Sequence, residues 1–171
     1  MTEKEYLEKL RTWVDTGMTN ESLASELNKH NEELVTEFPF LKVDWEETCH
    51  GVTYTVLDDM PQGWRIAFGR EMCEELKDEL IKNNALDSYE VEQVKEKFGG
   101  LRWYDNCYLP GVQVTIGKYA VLSEKTCIVC GKPAKWMSKG WISPYCDDCA
   151  TKQAKAQGVD INKVFKKIQE D

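Results

Sequence analysis

Residues 127–149 read CIVCGKPAKWMSKGWISPYCDDC. Four cysteines fall in it as Cys127-x2-Cys130-x15-Cys146-x2-Cys149, the spacing of two paired metal knuckles. Each CxxC turn places two thiolates along one edge of a tetrahedron, and the backbone N–H groups after the first cysteine point at the sulfurs. Two such turns close the tetrahedron at about 2.3 Å per Zn–S bond. Gly131-Lys132-Pro133 supplies the tight turn that the first knuckle needs. Between the pairs, AKWMSKGWIS reads as two short strands around Ser138-Lys139-Gly140, the hairpin of a zinc ribbon. Pro144-Tyr145 leads into the second knuckle, and an Ala-rich helix follows Cys149 and stops at Gly158. The expectation is a structural Zn²⁺ held by Cys127, Cys130, Cys146 and Cys149, with iron as the competing metal for a sulfur cage. Four thiolates leave no coordination position for water, which excludes a catalytic role for that ion.

Upstream lies VKEKFGGLRWY, residues 94–104, in which two β-type segments flank Gly99-Gly100 and predict a hairpin. Lys95, Lys97 and Arg102 interleave with Phe98, Trp103 and Tyr104. That pattern suits a stacking platform for single-stranded nucleic acid. It equally suits a plain hairpin whose aromatics enter the core while its lysines stay in water.

Taken with MPQGWRIAFG at 60–69 and the cysteine segment, this hairpin resembles a family of small bacterial and bacteriophage proteins of unassigned function. In that family a VKEKFGGLR-type hairpin precedes a CxxCG…GW…CxxC zinc ribbon. The resemblance spans roughly residues 55–150. It implies a metal-binding ribbon in an intracellular, often phage-encoded, setting, and it brings no catalytic residues with it.

Toward the N-terminus, Thr2-x-x-Glu5 reads as a capping box. It opens a helix with Tyr6, Leu7, Leu10, Trp13 and Val14 on one side, stopped by Gly17. A second helix starts near Asn20 with Leu23, Leu27, Leu34 and Val35 as its stripe, His30 on the same stripe, and Phe38-Pro39-Phe40 at its end. VTYTV at 52–56 alternates at a period of two and predicts a strand. A long helix follows Asp58-Asp59-Met60-Pro61, with Trp64, Phe68, Met72, Leu76 and Leu80 inside and Cys73 beside them. Glu71, Glu74, Glu75, Asp78 and Glu79 line its acidic outer face. VQVTI at 112–116 alternates again and predicts a further strand, whereas residues 117–125 fit a short helix. Ile161, Val164, Phe165 and Ile168 predict an amphipathic terminal helix, too short to stand alone and therefore docked. Cys49-His50 is an adjacent thiol–imidazole pair, although neighbouring side chains diverge.

The 171 residues carry a net charge of −8. Residues 1–123 hold 13 Lys+Arg against 24 Asp+Glu, and residues 124–171 hold 9 against 6, so an acidic body of −11 precedes a module of +3. Zinc bound to four thiolates adds about −2 and takes that module nearly to neutrality. The acid excess argues against nucleic-acid coating by the whole chain. No apolar run approaches the ~20 residues of a membrane span, and the charged N-terminus lacks the apolar region of a signal peptide. A bacterial cytoplasmic setting, in which disulfides are disfavoured, is expected. There is no Walker loop, GxSxG, HExxH or deaminase signature.

These readings predict an α+β chain: N-terminal helices and a small antiparallel sheet with a long helix over 1–123, then a four-cysteine zinc ribbon with a terminal helix over 124–171. The expected function is a non-enzymatic zinc-ribbon protein that modulates or inhibits a host machine of defence, transcription or replication. Its partner would be a protein, met through Glu71, Glu75 and Asp78, with no small-molecule substrate. The alternatives are a nucleic-acid-binding regulator working through the 95–104 hairpin (Lys95, Lys97, Phe98, Arg102 and Trp103) and the ribbon (Lys132, Lys135 and Lys139), and a small metal-dependent enzyme.

Overall fold

A computed structural model describes residues 1–43 and 51–168. The fold is α+β. Helices α1 (Glu3–Asp15) and α2 (Glu21–Glu37) pair at the N-terminus. The predicted capping box opens α1: Thr2 N donates to Glu5 Oε2 at 2.8 Å and Glu5 N donates to Thr2 Oγ1 at 3.2 Å. Asn20 caps α2 by accepting from Leu23 N at 3.1 Å. Tyr6, Trp13, Leu27 and Val52 form the small core of this pair.

The strand predicted at 52–56 does not form. Extended backbone lies instead along α2, where side-chain amides replace a neighbouring strand. Asn28 Nδ2 donates to Gly51 O at 2.8 Å, Thr53 N donates to Asn28 Oδ1 at 2.6 Å, and Asn31 Nδ2 donates to Thr53 O at 2.7 Å. Thr55 then caps a 3-10 turn over Val56–Asp59 by donating its N–H and hydroxyl to Asp58 Oδ2. Burial here does not keep a period of two, since Thr55 is buried beside Val56 while Tyr54 is half-buried, and apart from an isolated bridge between Thr55 and Lys42 side chains take the place of a sheet partner.

The long helix runs as α3 (Gln62–Trp64), one π turn (Arg65–Gly69) and α4 (Arg70–Lys82). Its predicted stripe of Trp64, Phe68, Met72, Leu76 and Leu80 is wholly buried in the main core. A stripe of period four drifts about 40° per step from a 3.6-residue face, and the wider π turn takes up part of that drift. The π turn also carries Arg65 into the interior, where it is 1 % exposed. Arg65 Nε donates to Glu3 Oε2 at 2.5 Å, Nη1 donates to Asp58 Oδ1 at 2.7 Å, and the guanidinium lies 4.4 Å from the Tyr6 ring centroid. Tyr6 OH donates to Asp58 Oδ1, Asn31 Nδ2 donates to Tyr6 OH, and His30 Nε2 stands 3.1 Å from Glu3 Oε1. A buried ionic knot therefore ties α1, α2 and the 3-10 turn to the long helix.

Strands β1 (Val91–Lys97) and β2 (Gly100–Asp105) form the predicted hairpin as a two-stranded antiparallel sheet. Lys97 pairs with Gly100, so the turn centres on Phe98-Gly99. VQVTI is not a strand: it lies in α5 (Pro110–Glu124), a helix that Pro110 opens at its first turn. The buried residues of α5 are Val112, Thr115, Tyr119 and Ser123, a helical spacing that the local alternation masks.

Strands β3 (Trp136–Ser138), β4 (Pro144–Tyr145) and β5 (Phe165–Lys167) make a second sheet in the order β4-β3-β5. Helix α6 (Asp147–Ala156) starts earlier than predicted, directly after Cys146, and contains Cys149. The terminal segment is helical only over α7 (Ile161–Val164); from Phe165 it is extended and pairs with β3. The free edge of β3 offers partners to this backbone, and Phe165 gains burial against Ala150 and Ala154. Among the described residues no helix is long and apolar enough to cross a membrane.

Candidate metal centre

Cys127 and Cys130 lie in the turn that follows α5, Cys146 is the N-cap of α6, and Cys149 sits in that helix's first turn. The first knuckle is closed by Cys127 N donating to Lys132 O at 2.8 Å and Gly131 N donating to Cys127 O at 3.0 Å. Gly131 has φ +77°, and a Cβ there would stand 2.7 Å from Gly63 O, so backbone shape and space both call for glycine. In the second knuckle Cys149 N points at Cys146 Sγ at 3.5 Å.

The four Sγ atoms all lie within 4.8 Å of one another, with Cys130 and Cys146 at 3.5 Å. A tetrahedral ion with bonds of about 2.3 Å sets its sulfurs about 3.8 Å apart, so the cluster has the dimensions of a metal cage. Among the described residues no other group of three or more His, Cys, Asp or Glu converges in this way. Cys127 and Cys146 are buried, and Cys130 and Cys149 are half-buried. Burial opposes the thiolate at Cys127, but hydrogen bonds from the backbone of Cys146, Cys130 and Val129 outweigh it and lower that pKa. Burial, then the neighbouring sulfurs of Cys146 and Cys130, push the Cys149 thiol up. The donor set, the distances and the enclosure all fit a cation held by four cysteines.

The ribbon is seated on the body through its first knuckle. Gly63 N donates to Ile128 O at 2.9 Å, Trp64 Nε1 to Thr126 O at 3.0 Å, and Gln62 Nε2 to Val129 O at 3.0 Å. A Cβ at Gly63 would stand 2.2 Å from Cys127 O, so α3 approaches this backbone as closely as a glycine allows.

The remaining candidates separate. Trp103, offered for the binding face, is buried in the main core and donates from Nε1 to Tyr89 OH at 3.0 Å. It shares the inner face of the hairpin with its partner Val94, so its ring is closed to any ligand. Lys95 pairs across the sheet with Arg102 on the opposite face, Lys97 follows at the next outward position, and Phe98 stands exposed at the tip. On the long helix Glu71 and Asp78 are exposed, whereas Glu75 accepts from Lys118 Nζ at 2.5 Å and from Tyr119 OH at 2.9 Å. Within the ribbon, Asp147 accepts from Trp136 Nε1 and Asp148 from Lys132 Nζ. Cys73 is buried in the core as predicted, and His30 belongs to the ionic knot. Cys49 and His50 lie outside the described residues.

Two features escaped the sequence reading. The ionic knot had one signal, a single charge inside the apolar run GWRIAFG. Trp141 had none: it is exposed, and its Nε1 donates to Glu96 Oε2 of the hairpin at 2.8 Å. Among protein-family models, curated proteins and solved structures, none matches this chain.

Proposed function

We propose that the chain is a non-enzymatic binding protein whose ribbon is held together by structural Zn²⁺ and whose acidic body engages a protein partner. The observation that carries the first half is the four-sulfur cluster of Cys127, Cys130, Cys146 and Cys149. Soft thiolates favour zinc or iron, and a closed set of four leaves no position at which a substrate could bind the ion. The second half rests on charge. The body carries a net −11, and Glu71 and Asp78 stand exposed two turns apart on the outward side of α4. Such a surface suits a basic protein face of the kind that nucleic-acid machines present. The resemblance to bacterial and bacteriophage proteins fits an accessory protein acting on machinery of a bacterial cell.

Native mass spectrometry of the full chain is expected to show one zinc ion per chain, lost together with the protection of four thiols from alkylation when a chelator is added. An iron-loaded or metal-free chain would overturn the zinc assignment. Capture from bacterial lysate is expected to recover a protein in stoichiometric amount, and a Glu71→Lys, Asp78→Lys double variant to lose it. A capture that yields no partner, or one that the double variant retains, would overturn the acidic-face reading.

A further inference from the structure

The hairpin tip and the ribbon loop meet. Glu96 accepts from Gly99 N at 2.7 Å through one carboxylate oxygen and from Trp141 Nε1 at 2.8 Å through the other. A Cβ at Gly99 would touch Met137 Sδ at 3.4 Å and Ile142 Cγ2 at 3.5 Å. One carboxylate thus fixes two elements side by side, each ending in an aromatic ring turned to solvent: Phe98 is 71 % exposed and Trp141 78 %.

Phe98 sits at φ +54° and Gly99 at φ +80°, the pattern of a type I′ turn. That turn favours Asn-Gly, and a bulky side chain in the left-handed region costs of order 1–3 kcal/mol. The ring recovers little of this by burial. A strained conformation that holds an aromatic ring in water is an outlier of the kind that marks functional surfaces.

The surroundings supply the charge. Lys95, Lys97 and Arg102 lie on the outward face of the same hairpin and make no ion pair among the described residues. Elsewhere in the acidic body Lys9, Arg65, Arg70, Lys82 and Lys118 are paired with carboxylates, whereas Arg11 bonds to Gln62 and Lys77 lies over the Phe38 ring. In a chain with an acid excess, what marks this region is the conjunction of three cations with two exposed rings. The Lys95 ammonium lies 5.1 Å from the Tyr104 ring and that of Lys97 lies 5.5 Å from Phe98, so cations and rings alternate across it. Glu96 belongs by register to the opposite, Val94–Trp103 face, so Trp141 meets the hairpin at its tip from that side, and Glu124 is the acid beside Gly100 and Arg102.

We propose that the hairpin tip binds single-stranded nucleic acid, with Phe98 and Trp141 at the tip stacking on bases and Lys95, Lys97 and Arg102 on the adjoining outward face contacting phosphates. The site goes beyond the protein partner of the acidic body. Because Trp141 belongs to the ribbon, the site is complete only when the metal holds that loop in place.

The test is fluorescence anisotropy of a labelled oligothymidylate of about twelve nucleotides with the full, zinc-loaded chain. Binding is expected at low salt, weakening as salt rises by about 0.7 logarithmic units of affinity per logarithmic unit of salt for each phosphate contacted. A Lys95→Ala, Lys97→Ala double variant is expected to flatten that slope by about 1.4. Phe98→Asn and Trp141→Ala are each expected to weaken binding by about five- to a hundredfold. Phe98→Asn retains a favoured turn sequence, so its loss of binding cannot be ascribed to unfolding. Absence of binding at low salt would overturn the proposal. So would equal binding by the aromatic variants, or equal binding to polyglutamate or to duplex DNA. A protein partner captured through Phe98, with no oligonucleotide bound, would also overturn it.

Discussion

Two regions of this molecule bury strongly polar groups, and they resolve the cost in opposite ways. Around Arg65 the chain supplies both signs of charge: Glu3 and Asp58 face the guanidinium, Tyr6, Asn31 and His30 hydrogen-bond around them, and Arg65 Nη2 and Asn31 Oδ1 are buried with no hydrogen-bond partner among the described residues. Around Cys127, Cys130, Cys146 and Cys149 the chain supplies four donors of one kind, and the opposite charge must come from an ion. The first region finds its counter-charge within the protein, whereas the second, read as a metal centre, finds it only in a bound ion. The body should therefore fold independently of metal, while the ribbon, whose own cores are three short strands and the Phe165–Ala150–Ala154 cluster, should not.

Chelation tests this difference most strongly, because structural zinc contributes about 10–16 kcal/mol to small ribbons. After chelation, hydrogen exchange is expected to lose protection over residues 126–168 and to keep it in α1, α2 and α4. The start of the long helix, where Gly63 and Trp64 hold the first knuckle, should loosen alongside the ribbon. Unfolding of the whole chain in one step would show that the two regions are a single cooperative unit.

The converse change is Arg65→Ala. It leaves Glu3 and Asp58 buried without their cation, and removing one member of a buried ion pair typically costs about 3–5 kcal/mol. Urea unfolding of the body should shift by that amount while the metal content of the chain stays unchanged. A variant that loses its zinc would tie the knot to the ribbon and erase the distinction.

Acid attacks the same knot more gently. Burial pushes the Glu3 carboxyl up, but the hydrogen bond from His30 and the charge and hydrogen bond of Arg65 overcome it and hold the folded-state pKa at about 2. The folded chain therefore takes this proton less readily than the unfolded chain, whose ordinary value is 4.5. The stabilisation is fully present above pH 4.5 and drains away as pH falls toward 2, with up to about 3 kcal/mol at stake. Glu3→Gln should remove most of that acid dependence in urea titrations of the body, and an unchanged pH profile would show that another group dominates.

What could be read from the sequence follows the same division. The cysteine spacing specified its own cluster because CxxC geometry is local, and the apolar stripe of the long helix appeared intact in the core. Capping by Thr2 and Asn20 is equally local. The misread segments are those in which a distant partner decided the backbone. Thr53 found its backbone partners in the amides of Asn28 and Asn31 and Thr55 in Asp58, VQVTI was absorbed into a helix opened by Pro110, and Phe165 joined the free edge of β3. Trp103 and Phe98 lie five residues apart in one hairpin, yet pairing register sends one into the core and leaves the other at the tip. The knot around Arg65 gathers residues 3 to 65, a separation over which no local pattern speaks.

The smallest expected effect separates stability from function at a single residue. Phe98→Asn replaces a bulky side chain in the left-handed region with the residue that type I′ turns prefer ahead of glycine. Exposed as it is, the ring forfeits little burial on leaving, so the variant should gain about 1 kcal/mol. For a chain of this size that is a rise of about 2–4 °C in the thermal midpoint of the transition that includes the hairpin. If the turn conformation persists for the sake of a ligand, the gain in stability and the loss of oligonucleotide binding must occur in the same variant, as happens where a strained site is relaxed. A variant that loses stability instead would mean that the ring packs on the ribbon loop. Its placement would then be structural, and the contrast between a self-sufficient body and a metal-dependent ribbon would extend to the hairpin that joins them.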